Sequence, residues 1–192
     1  MAHINVGNEF PGILGLMYYK PSTGKAIADF SQAVLRGASS LTSGERELIA
    51  ARVSQLNHCT FCLASHTAAA SELLPRMGDM ASAIETGISE SVSPRLQALL
   101  RIAEKVQQGG TAVLREDVDA AKSAGASDED VHDTVLVAAA FCFFNRYVDG
   151  LGTDLPNSPS FFRECGKFLA KMGYKGPSFI GRFFIRRMVK HT

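Results

Sequence analysis

Nowhere does this chain of 192 residues hold the run of about 18 apolar residues that a bilayer-spanning helix needs. Nor is there an excess of one charge: Lys and Arg nearly equal Asp and Glu, which removes the general electrostatic case for nucleic acid or an anionic membrane as partner. The first ten residues lack the basic head and apolar core of a secretion signal, so a cytoplasmic protein is expected. Cysteine is sparse, and the four present (Cys59, Cys62, Cys142, Cys165) form one close pair and two isolated residues in apolar surroundings. That is not a secreted disulfide framework. The period-two alternation of β-branched residues and the Asn-Gly hairpin turn are both missing, which excludes a substantial sheet.

What remains is helical patterning, and the expectation is an all-α protein: one domain over residues 1–192, built as a bundle of six or more helices. Residues 1–21 read as an N-terminal arm containing a short apolar helix that Lys20-Pro21 ends. Ser22 or Thr23 caps a helix to about Arg36, with Ile27, Phe30, Val34 and Leu35 on its core face. Thr42 and Glu45 fit a capping box that opens a helix whose stripe is Leu48, Ile49, Val53 and Leu56. Asn57-His58 then breaks it, and Cys59 begins a helix that Pro75 closes. Further starts fall at Asp79, Ser93-Pro94, Arg115, Ser127 and Pro159-Ser160. The segments from Ser43 and Ser127 share an acidic cap followed by an Ala/Val-rich helix, which suggests an internal helix-pair repeat in which Phe143, Arg146 and Gly150 replace Cys59, Cys62 and His66.

The chemistry concentrates between Glu47 and His66. On a helix, Cys59, Cys62 and His66 follow one another at spacings of three and four and share a face, with Cβ neighbours about 5–6 Å apart. That separation permits a disulfide. If the two helices form a hairpin about Asn57-His58, Glu47 and His66 come within reach of a hydrogen bond or one water. A carboxylate that orients an imidazole, which in turn addresses a thiol, is the arrangement of an activated nucleophile. Two arguments then divide over which thiol reacts. The helix N-terminus favours a thiolate at Cys59, whereas proximity to the base favours Cys62, one turn from His66. Other readings of the same residues are a zinc site with Glu47 or His58 as fourth ligand, and a pair of inert buried thiols. No second Cys-x-x-Cys or His-x3-His supplies the usual remaining ligands.

The pattern Glu47, eleven residues, Cys59-Thr60-Phe61-Cys62, three residues, His66 resembles the signature of the alkylhydroperoxidase AhpD-like branch of the carboxymuconolactone decarboxylase family, most closely its peroxidase-related subgroup. The Leu-Thr-x-x-Glu-Arg-Glu opening, Asn57, Asn145-Arg146 and Asp149-Gly150-Leu151-Gly152 add to the likeness. The resemblance implies an AhpD-like helical fold, a homo-oligomer, and thiol-dependent reduction of a hydroperoxide without metal, haem or flavin. It implies Cys62 as the attacking thiol, Cys59 as the resolving one, Glu47 and His66 as the proton relay, and an external dithiol, such as a dihydrolipoyl protein, as electron donor. Where the best-known form of the motif has histidine before the second cysteine, this chain has Phe61, which implies a shorter relay.

His3, His132 and His191 have no comparable partners, and Asn145, Arg146 and Asp149 read as a polar network at a helix end. Phe141, Phe143 and Phe144 read as core or subunit contact. Residues 177–192 form a basic amphipathic tail; such a helix suits either a membrane surface or a neighbouring subunit, and an oligomeric family favours the subunit. Alternatives to the peroxidase are a noncatalytic helical oligomer that binds zinc or senses oxidants, and a decarboxylase of the wider family.

Overall fold

The computed structural model describes residues 2–77, 80–86, 91–158 and 160–190, and among them there are ten α-helices and no strand. They are α1 (Gly12–Tyr19), α2 (Pro21–Arg36), α3 (Ser43–Leu56), α4 (Thr60–Leu73), α5 (Met80–Thr86), α6 (Pro94–Gln108), α7 (Arg115–Ser123), α8 (Asp128–Gly150), α9 (Ser160–Met172) and α10 (Phe179–Lys190), with a short 3-10 turn at Gly110–Ala112. None is long and apolar enough to cross a membrane.

Helix α3 is the central strut. Thr42 Oγ1 accepts from the Glu45 N–H and Glu45 Oε2 accepts from the Thr42 N–H at 2.8 Å, so the capping box forms as its spacing dictates. Nearly every α3 side chain from Arg46 to Ser54 is buried, because α4, α6 and α8 all pack against it. Leu48, Ile49 and Val53 are fully buried, each contributing about 1.5–3 kcal/mol. A helix covered on every side must pair whatever charge it carries. Arg46 donates to Val34 O and Gly37 O and so caps the end of α2, while Arg52 reaches Glu104 at 2.8 Å and the carbonyl of Ile84.

At Asn57 the helix stops, His58 takes a left-handed φ of 58°, and α4 returns antiparallel in the most extensive helix pair of the molecule. Cys59 is the N-cap residue of α4 rather than its first helical residue. Helix α9 lies across the other side of α4, at a closeness that glycine permits: a Cβ on Gly166 would stand 2.7 Å from the Ala68 backbone.

The second acidic cap forms at Ser127 and Asp130, and Arg95 joins the two caps, binding Asp130 through two nitrogens and Glu45 at 3.0 Å. The repeat goes no further than that. Where the first copy turns at Asn57-His58, α8 runs on without a break for 23 residues, since no residue there adopts the left-handed conformation that ends α3.

Other expectations need correction. Helix α2 starts at Pro21, which serves as its first-turn proline instead of merely ending α1. Phe30 is 40% exposed and meets Phe144 edge-on from the surface, leaving the α2 core face to Ala28, Val34 and Leu35. The proposed Asp79 cap lies outside the described residues, as do His191 and Pro159. Residues 1–21 are no free arm: Phe10, Leu16 and Met17 are buried, and the Gly12 N–H donates to Asp154 O. The C-terminal tail also docks on its own chain. Ile185 is buried, Met188 and Val189 pack against the cluster around Cys59 and Cys62, and the Tyr18 hydroxyl donates to Ser178 O.

Candidate functional site

The site begins with a charge that burial alone would not tolerate. Glu47, one turn into α3, is fully buried and faces three partners. The His66 ring shares a proton between Nδ1 and Glu47 Oε2 at 2.6 Å, Arg36 donates to Oε1 at 2.6 Å, and the Tyr174 hydroxyl donates to the same oxygen at 2.7 Å. Burial on its own would raise the carboxyl pKa, but the charge of His66 and its hydrogen bond, with Arg36 and Tyr174, outweigh it and hold Glu47 below its ordinary value. Glu47 is therefore an ionised anchor. With Nδ1 committed to the carboxylate, Nε2 is the ring nitrogen left to serve chemistry.

The ring of His66 is held by two aromatic neighbours. Phe141 meets it edge-on with centroids 4.5 Å apart, and Tyr174 lies nearly parallel at 6.2 Å. Tyr174 is held as a neutral phenol, since burial and the adjacent Glu47 charge push its pKa well above the ordinary value. Arg36 stacks over the Tyr174 ring at 5.1 Å and also donates to Leu169 O, so α2, α3, α4 and α9 meet here.

Cys62 and His66 both line an apolar cavity of about 120 Å³. Its walls come from Met17 of α1, Ile27 of α2, Phe61 of α4, Phe141 and Phe144 of α8, Leu169 of α9 and Ile185 of α10. Cys59 is wholly buried behind Cys62 and does not line the cavity. Both thiols are free. The Cys62 thiol is pushed well above its ordinary pKa, first by its hydrogen bond with Cys59 and then by burial, while a hydrogen bond from Asn145 works in the opposite direction. Asn145 is itself fixed: it accepts from Asn57 at 2.8 Å and donates to Ser54 Oγ at 3.1 Å. Cys62 thus rests as a thiol, and the helix N-terminus does not by itself make a thiolate of it.

All four sequence-predicted residues, Glu47, Cys59, Cys62 and His66, meet in one neighbourhood. Phe61 fills the position before Cys62 as packing, against Phe161, Phe162 and Gly12. A Cβ on Gly12, whose φ is +57°, would collide with the Phe61 ring at 2.3 Å. Asn145 belongs to this site through Cys62, whereas Arg146 is exposed and bonds its own helix at Cys142 O. Phe141 and Phe144 are core; Phe143 is 52% exposed.

Sequence reasoning missed Arg36 and Tyr174, and it left Cys165 as an isolated cysteine in apolar surroundings, although it lines the same cavity. Burial pushes the Cys165 thiol up to about 12, aided by the Glu47 charge and opposed by the Ser65 hydroxyl. Among the described residues no group of three or more His, Cys, Asp or Glu side chains is placed to hold a metal ion. Of the two fourth ligands that the zinc alternative calls for, Glu47 has both oxygens engaged by His66, Arg36 and Tyr174, and His58 stands exposed on the turn.

Comparison with known proteins agrees with this layout. Residues 21–105 match the model of the carboxymuconolactone decarboxylase family. No curated protein sequence matches the chain. Among solved structures, a peroxidase-related protein described as an alkylhydroperoxidase AhpD core, from Ralstonia eutropha, aligns with a TM-score of 0.72 and 25% identity over 82% of this chain and 81% of its own. An uncharacterized peroxidase-related protein from a Silicibacter species gives 0.69 and 24% over 75% of each chain. A protein of unknown function from Agrobacterium tumefaciens gives 0.64 and 19% over 82% of this chain and all of its own. The Glu47–His66 pair and the two cysteines thus lie inside the segment that matches the carboxymuconolactone decarboxylase family, and the chain has an AhpD-like all-helical fold.

Proposed function

We propose that the chain is a thiol-dependent hydroperoxidase in which Cys62 is oxidised by the substrate and Cys59 resolves it. The observation that carries this reading is that Cys62 and His66 open onto one apolar cavity, with the far side of the His66 ring tied to a buried, ionised Glu47. His66 takes the proton of the Cys62 thiol. The thiolate attacks the terminal oxygen of the peroxide, the O–O bond breaks, and the departing alkoxide receives the proton back from His66. Cys62 is left as a sulfenic acid. Cys59, in hydrogen-bond contact with Cys62, condenses with it, forming a disulfide and releasing water. An external dithiol then reduces the disulfide, and a slender lipoyl-type donor suits a pair that is buried.

Glu47 keeps its charge through this cycle and positions His66. It does not carry the proton itself, because Arg36 and Tyr174 stabilise its ionised form. The apolar lining favours alkyl hydroperoxides over hydrogen peroxide. A cytoplasmic setting, where thiols are kept reduced, suits such a pair. A homo-oligomer would bury the α8 face that exposes Leu136 and Phe143; a monomer by light scattering at micromolar concentration would contradict that part.

The decarboxylase reading has no observation in its favour beyond the family name, since nothing in that chemistry calls for two adjacent thiols. The test is consumption of an alkyl hydroperoxide by purified, metal-analysed protein with a dithiol donor. Turnover that disappears in Cys62→Ser supports the proposal; no turnover with any dithiol, or turnover that survives Cys62→Ser, refutes it.

A further inference from the structure

The near-neutral total charge conceals a sharp division along the chain. Between residues 165 and 192 there are seven Lys and Arg and not one Asp or Glu, so the preceding residues carry a net charge of minus six within a total of plus one. This basic stretch ends in α10, whose inner face is occupied: Gly181, Ile185 and Met188 close the wall of the thiol cavity, and Arg182 lies over the rings of Phe10 and Tyr18. The outer face is open. Phe179 is 88%, Ile180 68% and Phe183 62% exposed, and Arg186 and Arg187 are exposed on the same arc of the helix.

We infer that α10 is a peripheral docking helix for an anionic lipid surface, with Phe179, Ile180 and Phe183 entering the interface and arginine meeting the headgroups. Bulky apolar side chains interleaved with arginine on a convex helix suit a headgroup boundary, where guanidinium groups reach out along their apolar stems. A second copy of the chain fits less well. The other exposed apolar face, Leu136, Ala139 and Phe143 on α8, carries Arg146 at one end, and the carboxylate at its other end, Asp133, is already bonded to Ser39 and His132, so it offers an arginine-bearing helix little complementary charge. Of the three arginines of α10, Arg182 and Arg186 share a surface pocket with Glu9, and Arg187 does not line it. This inference does not depend on the peroxidase reading, although a docked α10 would set the cavity wall beside the lipid.

The test is sedimentation of the full chain with vesicles of phosphatidylcholine alone and with vesicles in which part of it is replaced by phosphatidylglycerol. Binding is expected only to the anionic vesicles and should fall as salt is raised. Phe179→Ser/Phe183→Ser and Arg187→Glu, none of them residues of the cavity, should each weaken it about tenfold or more while leaving helix content unchanged. Equal partitioning of the wild-type and variant chains would overturn the inference. So would an absence of vesicle binding together with a change of oligomeric mass in the phenylalanine variant, which would assign the face to a second copy.

Discussion

Replacing Glu47 separates anchor from relay at the scale of single residues. If the carboxylate only passed protons, Glu47→Gln would slow turnover and leave the fold untouched. The structure says otherwise, since a neutral amide in place of the carboxylate would leave the guanidinium of Arg36 buried without its counter-charge. A loss of about 3–5 kcal/mol in denaturant unfolding is expected for Glu47→Gln, against about 1 kcal/mol for Tyr174→Phe, which removes the hydroxyl from Glu47 and His66 and keeps the ring on His66. Equal stability of wild type and Glu47→Gln would mean that Arg36 is not held by this charge. Asn145 gives a second residue-scale prediction. Its hydrogen bond is what opposes the rise of the Cys62 pKa, so Asn145→Ala should move the pH profile of Cys62 alkylation to higher pH. A profile that stays in place or moves lower would take Asn145 out of the thiol's environment. Glu47, Cys59, Cys62 and His66 could be read from spacing because they lie within one helical hairpin, where short-range geometry dictates contact. Arg36 and Tyr174 could not. They reach Glu47 from the end of α2 and from the loop after α9, and nothing local marks a last-turn arginine or a loop tyrosine as a partner of a residue on another helix.

At the scale of elements, local chemistry was the most legible part of the chain. The boxes at Thr42-Glu45 and Ser127-Asp130 and the Ser93 cap all form, because capping is decided by side chains three residues apart. Less legible was where a helix continues. The likeness of the two segments stops at their caps, since matching caps govern how a helix starts and have no hold on where it ends. The α3–α4 turn itself is strained at His58, a non-glycine residue with φ of 58°. His58→Gly should relieve about 1 kcal/mol and raise the melting temperature by about 2–4 °C. Because the His58 side chain is exposed on the turn, away from the cavity, turnover should not change. A lower melting temperature would show that the imidazole stabilises the turn.

For the whole molecule, two buried carboxylates set the response to acid. Glu47 and Asp130 both have folded-state pKa values below their ordinary ones: burial opposes the shift in each case, His66, Arg36 and Tyr174 overcome it for Glu47, and Arg95, Ser127 and Ser40 overcome it for Asp130. A group with a lowered folded pKa contributes its full stability above the unfolded value, about 4, and loses it as pH falls through the folded value. Stability from these groups should therefore be flat from about pH 7 to 5 and decline below about 4. Urea midpoints across that range will check it, and a midpoint unchanged at pH 3 would contradict the pairing of both carboxylates. The all-helical class was legible because no segment alternates as a strand must. The place of the C-terminal tail was not, as its amphipathic pattern requires a covered face without naming the surface that covers it, and the inner face proves to close the chain's own cavity.

The order of the two thiols is the central claim, and trapping the oxidised one tests it most directly. Cys59→Ser, treated with limiting alkyl hydroperoxide and then dimedone, should carry the label on Cys62 by mass spectrometry, because Cys62 lines the cavity beside His66 and has lost its resolving partner. In Cys62→Ser, Cys59 is buried behind the cavity wall and should stay unlabelled. Label on Cys59 in the second variant, with none on Cys62 in the first, would contradict the account and give the attack to the residue at the helix N-terminus.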